Sequence, residues 1–168
     1  MAGFPKGFRI FAHGSGRKRS AMIVNNNDVD VIAITQISHE GVILTEIRYE
    51  GLTFYVASLY LPIDRDKERD FETIEDILQL TKGERLILAI DGNARSKLWS
   101  DTCTNTRGRA LEEFIITRDL LIINEATDIP TFETNRGRSW IDLTMCNNIL
   151  AQKIKGMDVW RGRKLHRP

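Results

Sequence analysis

Leu86–Ile90 is a run of five consecutive apolar residues that ends abruptly at Asp91-Gly92-Asn93. So short a run, bounded by polar residues, reads as a central strand covered on both faces, and the chain must supply the covering layers. An ordinary turn accounts for its end, because Asp, Gly and Asn are the commonest turn residues. A metal and phosphate site is the other account. Asp91 and Asn93 stand at i and i+2, so in a continuing strand they point the same way. One offers a charged oxygen, the other a neutral donor and acceptor. That pair suits phosphoryl chemistry beside a bound cation.

The covering layers are legible on either side. Strands are predicted over Phe8–Ala12, Ala21–Val24, Val31–Thr35, Val42–Tyr49 and Leu52–Leu61, with a hairpin turn at Glu50-Gly51. Beyond Pro62 the spacing becomes helical: Phe71, Ile74, Ile77 and Leu78 make one stripe, and Gly83 supplies the stop. Leu111, Phe114 and Ile115 mark a second helix, and Leu120–Ile123 and Trp140–Met145 are further strands. Many strands with two intervening helices predict an α/β sandwich, sheets face to face and helices outside. Both ends read as cut, since a strand begins almost at once and the chain stops on Pro168 with no closing element. The expectation is a single, incomplete domain over residues 1–168.

Composition narrows the function classes. With 42% apolar and 28% charged residues and a formal net charge of +1, the 168-residue chain is neither disordered nor globally basic. A local basic stripe is still compatible with nucleic acid. Arg17, Lys18 and Arg19, then Arg95, Lys97, Arg107, Arg109, Arg136 and Arg138, form such a stripe in sequence. Scattered arginines on a solvated surface are the plainer reading. Cys103 and Cys146 are not a spaced pair and the three histidines lie far apart, which argues against a disulfide framework or a zinc site. No apolar run approaches a membrane span and no signal-peptide core is present, so an intracellular, reducing setting is expected. The glycines of "GSGRKRS" do not match a phosphate-binding P-loop. Ser15, Ser20, His13 and His39 form no nucleophile elbow. Trp99 reads as core.

Polar residues that interrupt apolar strands are the candidates for chemistry. Tyr60 closes "VASLYLP", Asp91 and Asn93 close "LILAI", and Asp142 stands among Trp140, Ile141 and Leu143. A strand disfavours aspartate; a buried hydrogen bond to backbone or arginine explains Asp142, or else it has a chemical purpose. "YLPIDRDKERDFE", "LILAIDGNARSKLW", "TNTRGRALEEFI" and "IINEATDIPTFETNRGRSWIDLTM" occur in the order and spacing of one family. Together they resemble the endonuclease domain of insect-type non-LTR retrotransposons, in the endonuclease/exonuclease/phosphatase superfamily. The most specific piece is "PTFETNRGRSWIDLT".

That resemblance implies a four-layered α/β/β/α sandwich of the DNase I type, here without its first strands. It implies Mg²⁺-dependent (or Mn²⁺-dependent) nicking of double-stranded DNA. Tyr60 corresponds to the tyrosine that contacts the scissile phosphate, and Asp91 and Asn93 to the pair that orients water and holds a phosphate oxygen. Asp142 corresponds to the aspartate that supports the catalytic histidine or the metal. His166 lies near the family's closing Ser-Asp-His, with Lys164 and Leu165 in place of the first two residues. The principal Glu metal ligand has no counterpart: Gln36 is followed by Ile37, and Glu40 reads as loop surface, which leaves Asp91 as the metal-binding candidate. Arg95, Arg107, Arg109 and Arg138 are the DNA-binding candidates, Arg107 and Arg109 serving equally well as helix caps. Implied partners are target DNA, a reverse transcriptase domain and element RNA, with no membrane and a nuclear site of action on chromosomal DNA. The rival reading is an inactive fragment that at most binds nucleic acid; a small-molecule phosphatase is a third. Without its first strands the sheet exposes apolar core, and poor solubility is expected.

Overall fold

The computed structural model describes residues 7–124, 129–135 and 137–155. A hairpin of β1 (Arg9–Phe11) and β2 (Met22–Val24) precedes β3 (Asp30–Ala33), β4 (Val42–Tyr49) and β5 (Leu52–Tyr60). Helix α1 (Lys67–Leu80) leads to β6 (Leu86–Asp91), and α2 (Thr106–Thr117) to β7 (Leu120–Ile122). A second hairpin, β8 (Phe132–Thr134) with β9 (Gly137–Ser139), enters β10 (Asp142–Asn147), and α3 (Asn148–Lys155) comes last.

Six strands form one sheet in the order β3-β4-β5-β6-β10-β7. Neighbours are antiparallel except β5 and β6, which are parallel. A parallel pair needs a crossover, and α1 is that crossover. Its N-terminus is capped by the Asp66 carboxylate, which accepts from the Glu68 N–H. The helix ends at Leu80, earlier than Gly83: the Thr81 N–H bonds back to the Ile77 carbonyl, and Gly83 serves the next turn at φ 86°. α1 and α2 lie side by side, with the Phe71 and Phe114 rings stacked at 4.9 Å.

Both helices cover the same face of the sheet. Leu44, Ala57, Leu59, Leu88, Ile90, Leu143 and Met145 alternate onto it and pack against Ile74, Ile77, Leu111 and Ile115. The expectation that β6 is buried on both faces is corrected here. Leu86, Leu88 and Ile90 are buried, while Ile87, Ala89 and Asp91 are half-buried on the opposite face. The described residues thus build the helix layer and one sheet of an α/β sandwich. On the second face they place the β1–β2 loop, anchored where the Ser20 hydroxyl donates to the Ser58 carbonyl at 2.6 Å, and the Leu150 side of α3. Farther along that face an apolar hollow of about 480 Å³ opens among Leu52, Phe54, Ile87 and Leu150. The expectation of poor solubility rests on this surface.

α2 begins in close contact with the chain that leaves β6. The Asn105 side-chain oxygen accepts from Gly108 N–H at 2.7 Å and from Arg95 N–H at 3.2 Å, and the Asn105 N–H donates to the Arg95 carbonyl at 3.0 Å. A Cβ on Gly108 would stand 1.8 Å from that carbonyl oxygen. Backbone cannot yield as a flexible side chain can, so Gly108→Ala is expected to cost about 2–4 kcal/mol of stability. Urea denaturation measures it, and a loss under about 0.5 kcal/mol would contradict the close contact.

Candidate active site

Three strands deliver one polar row to the same edge of the sheet. Tyr60 is the register partner of Asp91 across β5–β6, and Asp142 is the partner of Asp91 across β6–β10. Register partners share a face, and for this row it is the face away from the helices. Backbone bonds tie the ends together: Tyr60 N–H to Gly41 carbonyl at 2.8 Å, Leu61 N–H to Asp91 carbonyl at 2.9 Å, and Gly92 N–H to Ile141 carbonyl at 2.9 Å.

β6 stops at Asp91, so Asn93 does not continue the strand. Its φ is 45°, a left-handed conformation that asparagine tolerates. Its side-chain amide donates to the Leu61 carbonyl at 3.0 Å, and its N–H to the Asp91 carboxylate at 3.3 Å. The fold therefore brings Asp91 and Asn93 close not along a strand but through a turn that closes on itself. Asp142 is the first residue of β10 and exposed, not a carboxylate inside an apolar strand. A buried hydrogen bond does not explain it.

Cations approach this row from the β1–β2 loop. Arg17, Lys18 and Arg19 line one cleft with Tyr60 and Asp91. The Arg19 guanidinium lies 5.3 Å from the centre of the Tyr60 ring. A neighbouring cleft of about 340 Å³ gathers Arg19, His39, Glu40, Tyr60 and Arg65. His39 Nδ1 accepts from the Gly41 N–H at 3.2 Å, which places an imidazole proton on Nε2. Burial and then the Arg65 charge hold the His39 imidazole below its usual range, against the pull of Glu40. The Glu40 carboxylate accepts from the Ser15 and Gly16 N–H groups and so fixes the loop. Sequence does not mark His39 and Arg65 as site residues: His39 lies outside the motifs, and Arg65 stands unremarked in the charged run that follows Tyr60.

The arginine candidates divide. The Arg95 guanidinium bonds both oxygens of Asp101, with its nearest contact at 2.8 Å, and Trp99 donates its indole N–H to the Trp140 carbonyl from within the core. Burial works to raise the Asp101 carboxyl, but Arg95 and the Trp140 N–H outweigh it and hold the group below the usual range. Arg107 is turned inward onto Asp70 and the Gly92 carbonyl. Arg109 is exposed, and Arg138 pairs with Glu133 across the β8–β9 hairpin while staying 64% exposed. Arg136 and His166 lie outside the described residues.

Residues 54–165, more than half of the chain, match the sequence profile of the endonuclease-reverse transcriptase family. The chain belongs to that family. It is 28% identical over 158 residues to the retrovirus-related Pol polyprotein from type-1 retrotransposable element R1 of Bradysia coprophila. It is 21% identical over 151 residues to the 115 kDa protein in type-1 retrotransposable element R1DM of Drosophila melanogaster. The matches cover 88% and 85% of this chain but only 16% and 15% of those proteins. Among solved structures, the endonuclease domain of TRAS1, a telomere-specific non-LTR retrotransposon, superposes with a TM-score of 0.79 at 28% identity. That superposition covers 88% of this chain and 70% of that one. The human Nocturnin catalytic domain matches with a TM-score of 0.56 at 13% identity, over 84% of this chain and 61% of its own, and shows the fold alone.

This endonuclease-reverse transcriptase family domain has an α/β fold of the endonuclease/exonuclease/phosphatase type and is related to R1-type endonucleases. Among the described residues no group of three or more His, Cys, Asp or Glu could hold a metal ion, and no helix is long and apolar enough to cross a membrane. The pair Asp91 and Asp142 nonetheless fits a hard cation. The two are register neighbours, and Mg²⁺ is commonly held by one or two carboxylates with water and phosphate completing its shell. Burial first, and then the Asp142 charge, push the Asp91 carboxyl above its usual range.

A raised folded-state pKa favours folding below the unfolded value, and that contribution is lost as pH rises through the folded value. At neutral pH the charged form of Asp91 therefore costs stability, and Asp91→Asn should melt higher than the parent. Partial exposure screens the charges, so the gain is about 1–2 °C in a chain of this size. The difference should disappear as pH falls to about 4. Thermal melts at both pH values check it, and an unchanged or lower melting temperature at pH 7 would contradict the like-charge contact.

Proposed function

We propose that this chain is the nicking module of a retrotransposon endonuclease, hydrolysing a phosphodiester of double-stranded DNA. The observation that carries this reading is the in-register row Tyr60–Asp91–Asp142 facing the cations of the β1–β2 loop. In this reading a phosphate enters between Arg19 and Asp91, with the Tyr60 hydroxyl donating to a non-bridging oxygen. A carboxamide nitrogen has two N–H donors; Asn93 gives one to Leu61 and offers the other to the same phosphate. Asp91 orients the attacking water and takes its proton.

Asp91 and Asp142 would together hold Mg²⁺ or Mn²⁺. When bound, the ion supplies positive charge against the developing charge on phosphate and on the leaving 3′ oxygen. Arg17, Lys18, Arg109 and Arg138 remain open to flanking phosphates and give affinity without sequence preference. The nick would supply a 3′-OH primer for target-primed reverse transcription, with a reverse transcriptase domain and element RNA as partners in the nucleus.

The chain incubated with supercoiled plasmid should convert it to open circle with Mg²⁺ and not with EDTA. Asp91→Ala should lower the rate by about 100-fold or more. With ~4 phosphate contacts, binding should weaken by roughly 100-fold between about 50 and 200 mM salt. Binding without metal-dependent nicking would replace this reading with that of a binding module. Absence of both would overturn the nucleic-acid assignment altogether.

A further inference from the structure

Asp70 is a fully buried carboxylate in α1 that bonds the Arg107 guanidinium of α2. Arg107, whose side chain is 14% exposed, extends its Nε the other way and donates to the Gly92 carbonyl at 2.9 Å. Gly92 is the residue between Asp91 and Asn93. The other Asp70 oxygen is buried without a hydrogen bond, 3.6 Å from the Arg65 guanidinium. Arg65 stands five positions after Tyr60 and lines the cleft with it. One buried carboxylate therefore reaches both strand-end loops, the one after Tyr60 directly through Arg65 and the one after Asp91 through Arg107.

We infer that Arg107 is a positioning residue, anchored on Asp70, which fixes the backbone between Asp91 and Asn93. The inference rests on the proposed reaction for its catalytic consequence, but its geometry stands apart from it. A buried ion pair is weak evidence for stability, since desolvation offsets most of its attraction. What this pair secures is direction. A guanidinium presents donors along two fixed axes, so it can hold a carboxylate and a carbonyl at once, where an ammonium acts as a point charge. The segment it holds lies past the end of β6, where the Gly92 N–H still bonds the Ile141 carbonyl but the Gly92 carbonyl is taken by Arg107. Misplacement of a reacting group by about 1 Å can cost on the order of 100-fold in rate. Contact with DNA is not available to a guanidinium already engaged on both sides.

The test is Arg107→Lys, which keeps a buried charge beside Asp70 and removes the bond to Gly92. Nicking kinetics, thermal melting and hydrogen–deuterium exchange of Gly92–Arg95 are measured on the full chain. Expected are a melting temperature near the parent's, a KM within about two-fold, and a kcat lower by about ten-fold or more. Exchange across Gly92–Arg95 should quicken by about ten-fold while that of β4 stays unchanged. A folded Arg107→Lys with parental kcat and parental exchange would overturn the inference. So would a raised KM with a flattened salt dependence and an intact kcat, which would make Arg107 a DNA contact. Should Arg107→Lys not fold, the neutral pair Asp70→Asn with Arg107→Gln takes the same measurements, and failure of both to fold would reduce the pair to a stabilising element. If the parent itself does not nick, the proposed reaction fails while the exchange measurement still decides the positioning role.

Discussion

The register of β6 between its two neighbours governs everything that happens at this sheet edge. β5 runs parallel to β6 and β10 runs antiparallel to it, so two strand ends and one strand beginning meet in a single row. Shifting either pairing by one residue would turn Tyr60 or Asp142 onto the helix-covered face, where no water or phosphate reaches. The apolar residues of the same strands prevent that shift. Leu88, Ile90, Leu59 and Leu143 are buried under the helices, and a slip would expose all of them together. The core thus sets the geometry of the polar row without touching it.

The row carries a cost that arises from its arrangement. Two carboxylates sit side by side, one of them partly withdrawn from water, and the cations that share the cleft with Asp91 belong to a loop from another part of the chain. That loop is held by its own contacts: Glu40 accepts from Ser15 and Gly16, the Arg19 N–H bonds the Glu40 carbonyl, and Ser20 bonds Ser58. The near-neutral net charge of the chain conceals this local separation. Cations collect at the cleft, while other arginines are neutralised in pairs such as Arg95 with Asp101 and Arg118 with Glu75.

The fold is most legible in the sequence where one periodicity dominates. β4, β5 and α1 can be read directly because a long run of strand-forming residues or a helical stripe marks each of them. It is least legible where tertiary contacts, and not periodicity, set the structure. The β8–β9 hairpin lies mostly exposed and carries no apolar alternation, so the segment before Trp140 shows no strand pattern. Asn93 falls on a strand only if that strand is extended two residues beyond its real end. Arg95 and Arg107 belong to a basic series in sequence, but only the fold shows their partners, Asp101 and Asp70. Asp70 does leave a signal. It stands at i with Ile74 at i+4 and Ile77 at i+7, so the helical period already places a carboxylate on the buried stripe.

That carboxylate shows why the charged run before Phe71 is not simply a solvated face. A buried Asp on an otherwise apolar stripe demands a cation, and the cation has to come from an element packed against the same stripe. α2 packs there, and its first turn brings Arg107 to Asp70 and the side-chain oxygen of Asn105 to the Arg95 N–H. The absence of a side chain at Gly108 is what lets that turn lie directly on the chain leaving β6. "TNTRGR" is therefore a structural motif whose three informative residues, Asn105, Arg107 and Gly108, all act on the four residues after Asp91. Its place beside an Asp-x-Asn strand end has a physical reason: the strand delivers the carboxylate, and the helix start holds the loop behind that carboxylate in place.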